Sequence, residues 1–428
     1  MSLPATGSHD AIPSTTLHSV ACPFCGMLCD DLVVDVTAVP QVRANGCARS
    51  HALFSVLPKN DVTPQVDGKS TTLDQAIARA AEILTAAAQP VLLSAGTDVG
   101  GMRTLLELAE RTGGVVDHVN SDAALRNLRV LQDTGWVSTT LTEVRNRCDL
   151  LIVAGSEVGT RFPRFFERCI ENAESMFDGG KREIVFLGTP PAGFESKHAV
   201  SVMQVAPRQL GDVFAALRCL LARRKLRATE IAGVALPGLA ELLARMQSAR
   251  YGVLTWAAAE LNFPHAELAI QSACELVQQL NEKSRFAVLP LAGNDGDLTT
   301  VQAATWQTGY PLRVSFGGGV PAFDPLHFRA ERLIARSEAD ALLFVNAFDP
   351  DRTPPASGTP TILLGRPGMS SERATVFIPL ATPGLHHAGH LFRADNVVAI
   401  RVRQIADSPW PSAATALRRI LEALGARS

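Results

Sequence analysis

Four cysteines crowd the start of the chain: Cys22, Cys25 and Cys29 in ACPFCGMLCDD, then Cys47 in ANGCARSHALF, with the spacing C-x2-C-x3-C-x17-C. Three thiols in one short loop, and a fourth returned after a brief excursion, can surround a single soft metal centre, which thiolates hold better than harder ligands do. Two centres compete. A [4Fe-4S] cluster suits the tight triplet, because a loop must wrap the cluster to reach its separate irons. A structural zinc suits the count of four sulfurs, although zinc more often takes two separated C-x2-C knuckles. The bland alternative, packed or paired cysteines, is weak for an enzyme-sized cytosolic chain, where disulfides rarely persist. Cys148 opens a strand pattern, and Cys169, Cys219 and Cys274 sit in apolar helical patterns, where free cysteine acts as a small hydrophobe.

The rest of the chain must position that loop. Its 428 residues, 46% hydrophobic and 19% charged, are enough for a large core and for two or three domains. A formal net charge of -2 gives no electrostatic footprint for nucleic acid or an anionic membrane. The opening MSLPATGSHDAIPSTTLHS has no basic segment leading into an apolar one, so residues 1–18 read as a disordered lead and the expected compartment is the cytoplasm. No apolar run is long enough to span a bilayer. Beyond residue 60, short apolar runs end at glycines and are followed by longer amphipathic stretches, the pattern of parallel strands covered by helices. Val91–Ser94, Leu150–Ala154 and Ile184–Leu187 are strand candidates, and a mostly helical stretch covers 208–249. RYGVLTW, SRFAVLPLAG, ADALLFVNAF, TPTILLG and ATVFIPLA add five more strands, with a helix over 265–281. The expected fold is α/β with Rossmann-like parallel layers. Its division is a cysteine-rich lobe over 19–60, a first α/β domain over 61–249 and a second over 250–428. The tail from Trp410 reads as an amphipathic helix docked on the body or on a partner.

Glycine loops invite a nucleotide reading. Gly96, Gly100 and Gly101 follow a strand and open a helix, the setting for an anion, yet the G-x-G-x-x-G order is missing and turn geometry explains them. His386, His387 and His390 in GLHHAGHLFR form the densest histidine group. Gly384 and Gly389 argue against a helix there, so the segment reads as a loop facing solvent, a partner or an acidic carrier, with Arg393, Arg401 and Arg403 nearby.

CPFCGMLCDDLVVDV and NGCARSHALF resemble the iron-sulfur loop of the molybdopterin oxidoreductases, and among them the B subunit of formylmethanofuran dehydrogenase. GNDGDLTTVQAATWQTGYPLRVSFGGGVP and the terminal AGHLFRADNVVAIRVR are similar to further segments of that family, so the likeness touches essentially the whole chain. The resemblance implies a pterin-binding region to which Gly293, Asn294, Trp306 and Asn346 would belong, with Asp295, Gly296, Gly309, Tyr310, Asp349 and Pro350 beside them. It also implies a tungsten or molybdenum centre held by a cysteine after the first strand-helix unit. The matching stretch here, VVDHVNSDAALRNLRVLQDTGW, has no cysteine. Asp122 could offer an oxygen in its place, and His118 precedes the expected position. A chain that keeps the scaffold without the ligand resembles the B subunit of the bacterial formyltransferase/hydrolase complex of one-carbon oxidation. The expectations are therefore a scaffold with no catalytic residue of its own and no molybdenum or tungsten pterin. Cys22, Cys25, Cys29 and Cys47 would hold a [4Fe-4S] cluster or a structural zinc. Its partners would be formyltransferase-like, amidohydrolase-like and glutamate-synthase-like subunits, with a methanofuran-type carrier. The competing expectations are an active molybdenum or tungsten dehydrogenase and a free-standing binding protein with a zinc knuckle.

Overall fold

The computed structural model describes residues 15–55, 62–172, 174–177 and 181–425. In chain order, β1 (Thr16–Val20), β2 (Leu32–Asp35) and β3 (Gln41–Ala44) form a small antiparallel sheet and precede α1 (Ala48–Ser55). A short hairpin, β4 (Gln65–Val66) and β5 (Lys69–Ser70), leads to α2 (Leu73–Ala86), β6 (Pro90–Ser94), α3 (Val99–Thr112), β7 (Val115–His118) and α4 (Ser121–Asp133). Then come α5 (Leu141–Arg147), β8 (Leu150–Ala154), α6 (Val158–Arg161), β9 (Glu183–Leu187), β10 (Ala199–Met203) and α7 (Leu210–Leu221). The hairpin of β11 (Glu230–Ile231) and β12 (Val234–Ala235) precedes α8 (Leu236–Ser248), β13 (Gly252–Ala257), α9 (Ala266–Leu280) and β14 (Phe286–Leu291). The last part runs α10 (Asp297–Thr308), β15 (Val314–Ser315), β16 (Ala322–Phe323), α11 (Ala330–Ala335), β17 (Ala341–Asn346), β18 (Thr361–Gly365) and β19 (Val376–Pro379). It closes with β20 (Gly389–Phe392), β21 (Ala399–Val402) and α12 (Ala413–Gly425).

Two sheets carry the architecture. One has nine strands in the order β16-β15-β7-β6-β17-β18-β19-β4-β5, parallel from β7 to β19 and antiparallel at both ends. The other, β10-β9-β8-β13-β14, is parallel throughout. Strands β6, β8, β13, β17 and β18 are buried at every residue, as they must be when helices cover both faces. Helix starts are explicit: Thr72 and Gln75 form a capping box on α2, and the Asp98 side chain accepts from Gly101 N at the start of α3. That cap occupies the helix N-terminus of the first glycine loop. The tail helix α12 packs Ala413, Ala416, Leu417 and Ile420 into the core that it shares with α2 and α3.

Three boundaries differ from expectation. The sheets do not divide at residue 250: β13 pairs with β8, and β17 returns to pair with β6. The helical stretch 208–249 is a crossover inside one sheet, and the five-stranded unit is an insertion within the nine-stranded one. An apolar strand looks alike wherever it pairs, so the break in pattern marked a long connection rather than a domain edge. The lead is shorter than 18 residues, because β1 begins at Thr16; residues 1–14 lie outside the described part. The cysteine segment has no core of its own: Phe24, Met27 and Leu28 share one cluster with Phe165, Phe186, Leu289 and Leu291. Among the described residues no helix is long and apolar enough to cross a membrane.

Candidate cysteine site and the adjoining polar junction

Cys22, Cys25 and Cys29 lie buried in a loop between β1 and β2, whose neck is closed by Cys22 N donating to Cys29 O at 2.8 Å. Leu28, at φ 43°, turns the loop, and Leu28 N donates to Cys25 O at 3.1 Å. Cys47 sits just ahead of α1, where Ser50 Oγ accepts from Cys47 N and donates to Cys47 O. The four thiols lie within electrostatic reach of one another, for the charges of Cys29 and Cys47 act on both Cys22 and Cys25. Burial pushes the Cys25 thiol up to about 12 and Cys22 well above its ordinary value, with the neighbouring sulfurs adding to both. Burial raises Cys29 as well, but Arg168 offsets part of that through its charge and a hydrogen bond to the sulfur. The two acids after Cys29 anchor the loop: Asp31 takes a bidentate grip from Arg164 at 2.7 and 2.8 Å, and Asp30 pairs with Arg168 at 2.6 Å.

Among the described residues no group of three or more His, Cys, Asp or Glu side chains is arranged to hold one metal ion. Zinc bonds of about 2.3 Å would bring four sulfurs within roughly 4 Å of one another. A cubane cluster takes each sulfur on a separate iron and tolerates a wider spread. The donor set, four thiols flanked by the guanidiniums of Arg164, Arg168 and Arg49, suits an anionic cluster.

The loop is clamped from behind. A Cβ on Gly26 would meet Ala292 O at 2.2 Å and Gly293 Cα at 3.0 Å, so only glycine allows this approach. Gly26 N donates to Asn294 Oδ1 at 3.2 Å, and Ala394 N donates to Gly26 O at 2.6 Å. Beyond Asn294 the polar junction begins. Asp295 accepts from Arg352 at 2.9 Å and Asn120 at 3.1 Å, with Arg49 at 3.8 Å. Burial opposes ionisation of Asp295, but Arg352 and the hydrogen bonds outweigh it and hold the carboxyl below its usual range. His118 donates from Nε2 to Asp295 O at 2.9 Å and accepts at Nδ1 from Asn120 N at 3.0 Å. Burial lowers its pKa to about 4, so the ring is neutral and both nitrogens are engaged. Asn346 is engaged likewise: its amide donates to Asp349 O and Arg352 O and accepts from Phe348 N and Asp349 N.

Asp122 lies one turn further, on the first turn of α4, between two guanidiniums: Arg329 at 2.7 Å and Arg313. Arg313 is itself buried, donates to Ser121 Oγ at 3.0 Å, and lies 3.6 Å from Asp117 Oδ2. The segment Asn120–Ala124 thus meets arginines on every acid it offers.

No family model matches the chain. It is 28% identical over 413 residues to the B subunit of the tungsten-containing formylmethanofuran dehydrogenase 2 of Methanocaldococcus jannaschii, covering 92% of this chain and 94% of that one. It is 30% identical over 336 residues to the B subunit of the formyltransferase/hydrolase complex Fhc of Methylorubrum extorquens, covering 76% of this chain and 87% of that one. The chain belongs to the family of the formylmethanofuran dehydrogenase and Fhc B subunits. A chain in the crystal structure of the FhcABCD complex of Methylorubrum extorquens with methylofuran superposes with a TM-score of 0.74 at 28% identity, over 85% of this chain and 99% of that one.

Within this family the expected site residues separate. Gly293 and Asn294 lie against the cysteine loop, and Asn346 reaches the same junction through Arg352. Trp306 does not join them: it stands 60% exposed near the far end of α10, edge-on to Phe392 at 5.3 Å. Tyr310 stacks on Phe323. The histidine group is not one solvent-facing loop. His386 is buried, accepts from Thr382 N at 3.1 Å and sits edge-on to Trp410, while His390 is exposed on β20. The two glycines break the helix as expected, but Leu385 turns into the core that holds the cysteine loop and His386 turns in against Trp410. Arg393 is tied to Asp395 and Arg403 to His18 O. The arginines of the junction, Arg49, Arg313 and Arg352, gave no sequence signal beyond their proximity to the motifs, because their acidic partners are distant in the chain.

Asp297 is the most perturbed acid near the site. It lines a cavity of about 280 Å³ with Leu125, Leu128, Trp136, Val301 and Leu312, and it accepts from Gly293 N at 2.6 Å. Burial, with Asp295 adding repulsion, raises its pKa from 3.8 to about 7. The native chain therefore holds this proton after the unfolded chain has lost it, and stability falls as pH rises from about 4 to about 7. The full effect is about 4 kcal/mol at 1.36 kcal/mol per unit. Asp297→Asn keeps an acceptor for Gly293 and removes the charge, so it is expected to raise stability by about 2 kcal/mol at pH 8 and little at pH 5. Urea denaturation at the two pH values measures it; equal changes at both would refute the assignment.

Proposed function

We propose that this chain is the B subunit of a formyltransferase/hydrolase complex in tetrahydromethanopterin-linked one-carbon oxidation, acting as a scaffold without redox chemistry of its own. Formyl transfer and hydrolysis then belong to formyltransferase-like and amidohydrolase-like subunits, with a glutamate-synthase-like subunit completing the assembly around a methanofuran-type carrier. The observation that carries this reading is Asp122 clamped between Arg313 and Arg329. Within Asn120–Ala124, part of the stretch where the family resemblance expects a metal-binding cysteine, it is the one acid, and both its oxygens face guanidiniums. His118 and Asn120 beside it are engaged with Asp295. The fold is kept while the residues that would hold tungsten or molybdenum are absent or occupied.

Cys22, Cys25, Cys29 and Cys47 would hold a [4Fe-4S] cluster. Such a cluster stores an electron; here, with no second redox centre to serve, its value is to tie α1 to the loop before β2. The unpaired state of all eight cysteines agrees with a cytoplasmic setting.

The test is elemental analysis of the native complex for iron, zinc, molybdenum and tungsten, with fluorescence of oxidised pterin and a formate-dependent dye-reduction assay. Iron and sulfide without pterin, molybdenum, tungsten or dye reduction is the expected result. Stoichiometric tungsten or molybdenum with pterin would make this an active dehydrogenase chain, and a protein purified with no partner would remove the complex.

A further inference from the structure

The two main sheets end differently. The nine-stranded sheet finishes on two-residue strands, β16 and β5, too short to template another chain. At the β14 end of the five-stranded sheet the chain covers its own edge: Val288 N donates to Val137 O at 2.8 Å and Thr139 N donates to Val288 O at 3.1 Å. At the β10 end, among the described residues, no strand or bridge lies on the outer edge. The strand there reads Ala-Val-Ser-Val-Met in unbroken register, without the lysine, proline, bulge or inward charge that usually guards an open edge.

The direction of its backbone groups follows from one hydrogen bond. Gly188 N donates to Met203 O at 2.9 Å, with Met203 in register with Leu187. Met203, Ser201 and Ala199 therefore turn their N–H and C=O toward β9, and strand alternation turns those of Val200 and Val202 outward. Both valine side chains are 42% exposed and share one face, opposite the face on which Arg245 donates to Ser201 Oγ at 3.1 Å.

We propose that β10 pairs with β10 of a second copy of this chain, antiparallel about a two-fold axis at Ser201, so that two five-stranded sheets become one continuous sheet. The edge is complementary to itself. With the axis at Ser201, the N–H and C=O of Val200 face the C=O and N–H of Val202 in the other copy, and every outward group finds an opposite partner. The valines of both copies then form one apolar strip on a single face, the arrangement that stabilises cross-strand pairs. No ionisable side chain lies within the strand to meet its own image. The pairing does not depend on the cysteine site, so it stands or falls separately from the scaffold reading.

The test is site-directed crosslinking of the full chain, alone and in its native complex. Antiparallel residues in a non-hydrogen-bonded pair have Cα atoms about 4.5 Å apart, within disulfide range. Under mild oxidation Ser201→Cys is expected to give a covalent dimer, while the wild type and Val200→Cys alone do not. Val200→Cys mixed with Val202→Cys should crosslink. Val202→Lys, a surface change, should convert the dimer to a monomer by light scattering without altering iron content. A monomeric wild type, a Ser201→Cys variant that does not crosslink, or a Val202→Lys variant of unchanged mass would each overturn the pairing. So would hydrogen-exchange protection of β10 in a complex that holds one copy of this chain, which would assign the edge to a strand from a different protein of the assembly.

Discussion

Arg313→Ala is expected to cost about 3–5 kcal/mol of stability, the range for removing one partner of a buried ion pair. Arg313 follows α10 at φ 54° and reaches back to the first turn of α4. There it faces Asp117 at 3.6 Å, donates to Ser121 at 3.0 Å and pairs with Asp122. It also donates to Pro325 O, so one side chain joins β7, α4 and the connection after β16. Asp117 is fully enclosed; burial already pushes its pKa up, and Arg313 is the first influence that lowers it. Without the guanidinium the carboxylate can escape its penalty by taking a proton. The loss should therefore be larger at pH 8 than at pH 5. Asp117→Asn in the same chain should recover part of it, which a double-mutant cycle by urea denaturation would read. A loss below about 1 kcal/mol at pH 8, the range of an exposed pair, would mean that water reaches Asp117 and that the clamp on Asp122 is a surface feature.

The strands were legible because they are uniformly apolar and bounded by glycine: the runs around Val91, Leu151 and Ile184 and all five later runs form strands. Their partners were not legible. Whether β13 extends the sheet of β8 or begins another depends on which surfaces meet, and a fully apolar strand presents the same surface to either choice. The cysteine motif pointed to its own loop, and the two acids after Cys29 proved to be anchors for Arg164 and Arg168. Those arginines lie more than a hundred residues away. Charge pairs between segments far apart in the chain leave no periodicity behind, which is why Arg352 and Arg49 on Asp295 were invisible. Trp306 misled for another reason. A motif tryptophan suggests a channel, but α10 points it away from the junction that its own N-terminus builds.

If the quartet holds the proposed [4Fe-4S] cluster, Cys25→Ser is expected to abolish iron binding while leaving the fold assembled. Cys25 is fully buried and is held near 12 by desolvation and by Cys29. Binding must remove its proton, so reconstitution with iron and sulfide should be weaker at pH 6 than at pH 8. Serine offers a hard oxygen in the same place and does not replace the thiolate. The loop has other supports, Gly26 on Asn294 and Asp31 on Arg164, and it shares its core with β9 and β14. Loss of the centre should therefore lower the melting temperature without unfolding the chain, unlike small domains whose folding is metal binding. Iron, sulfide and visible charge-transfer absorption would be measured beside formyl transfer in the assembled complex. If transfer persists while iron disappears, the centre is a staple, and the clamp on Asp122 explains why nothing more is asked of it. If transfer falls in proportion to iron in complexes that remain intact, the cluster takes part in turnover and the scaffold reading fails. Zinc in the wild type without visible absorption would show instead that the four sulfurs draw together around a single ion.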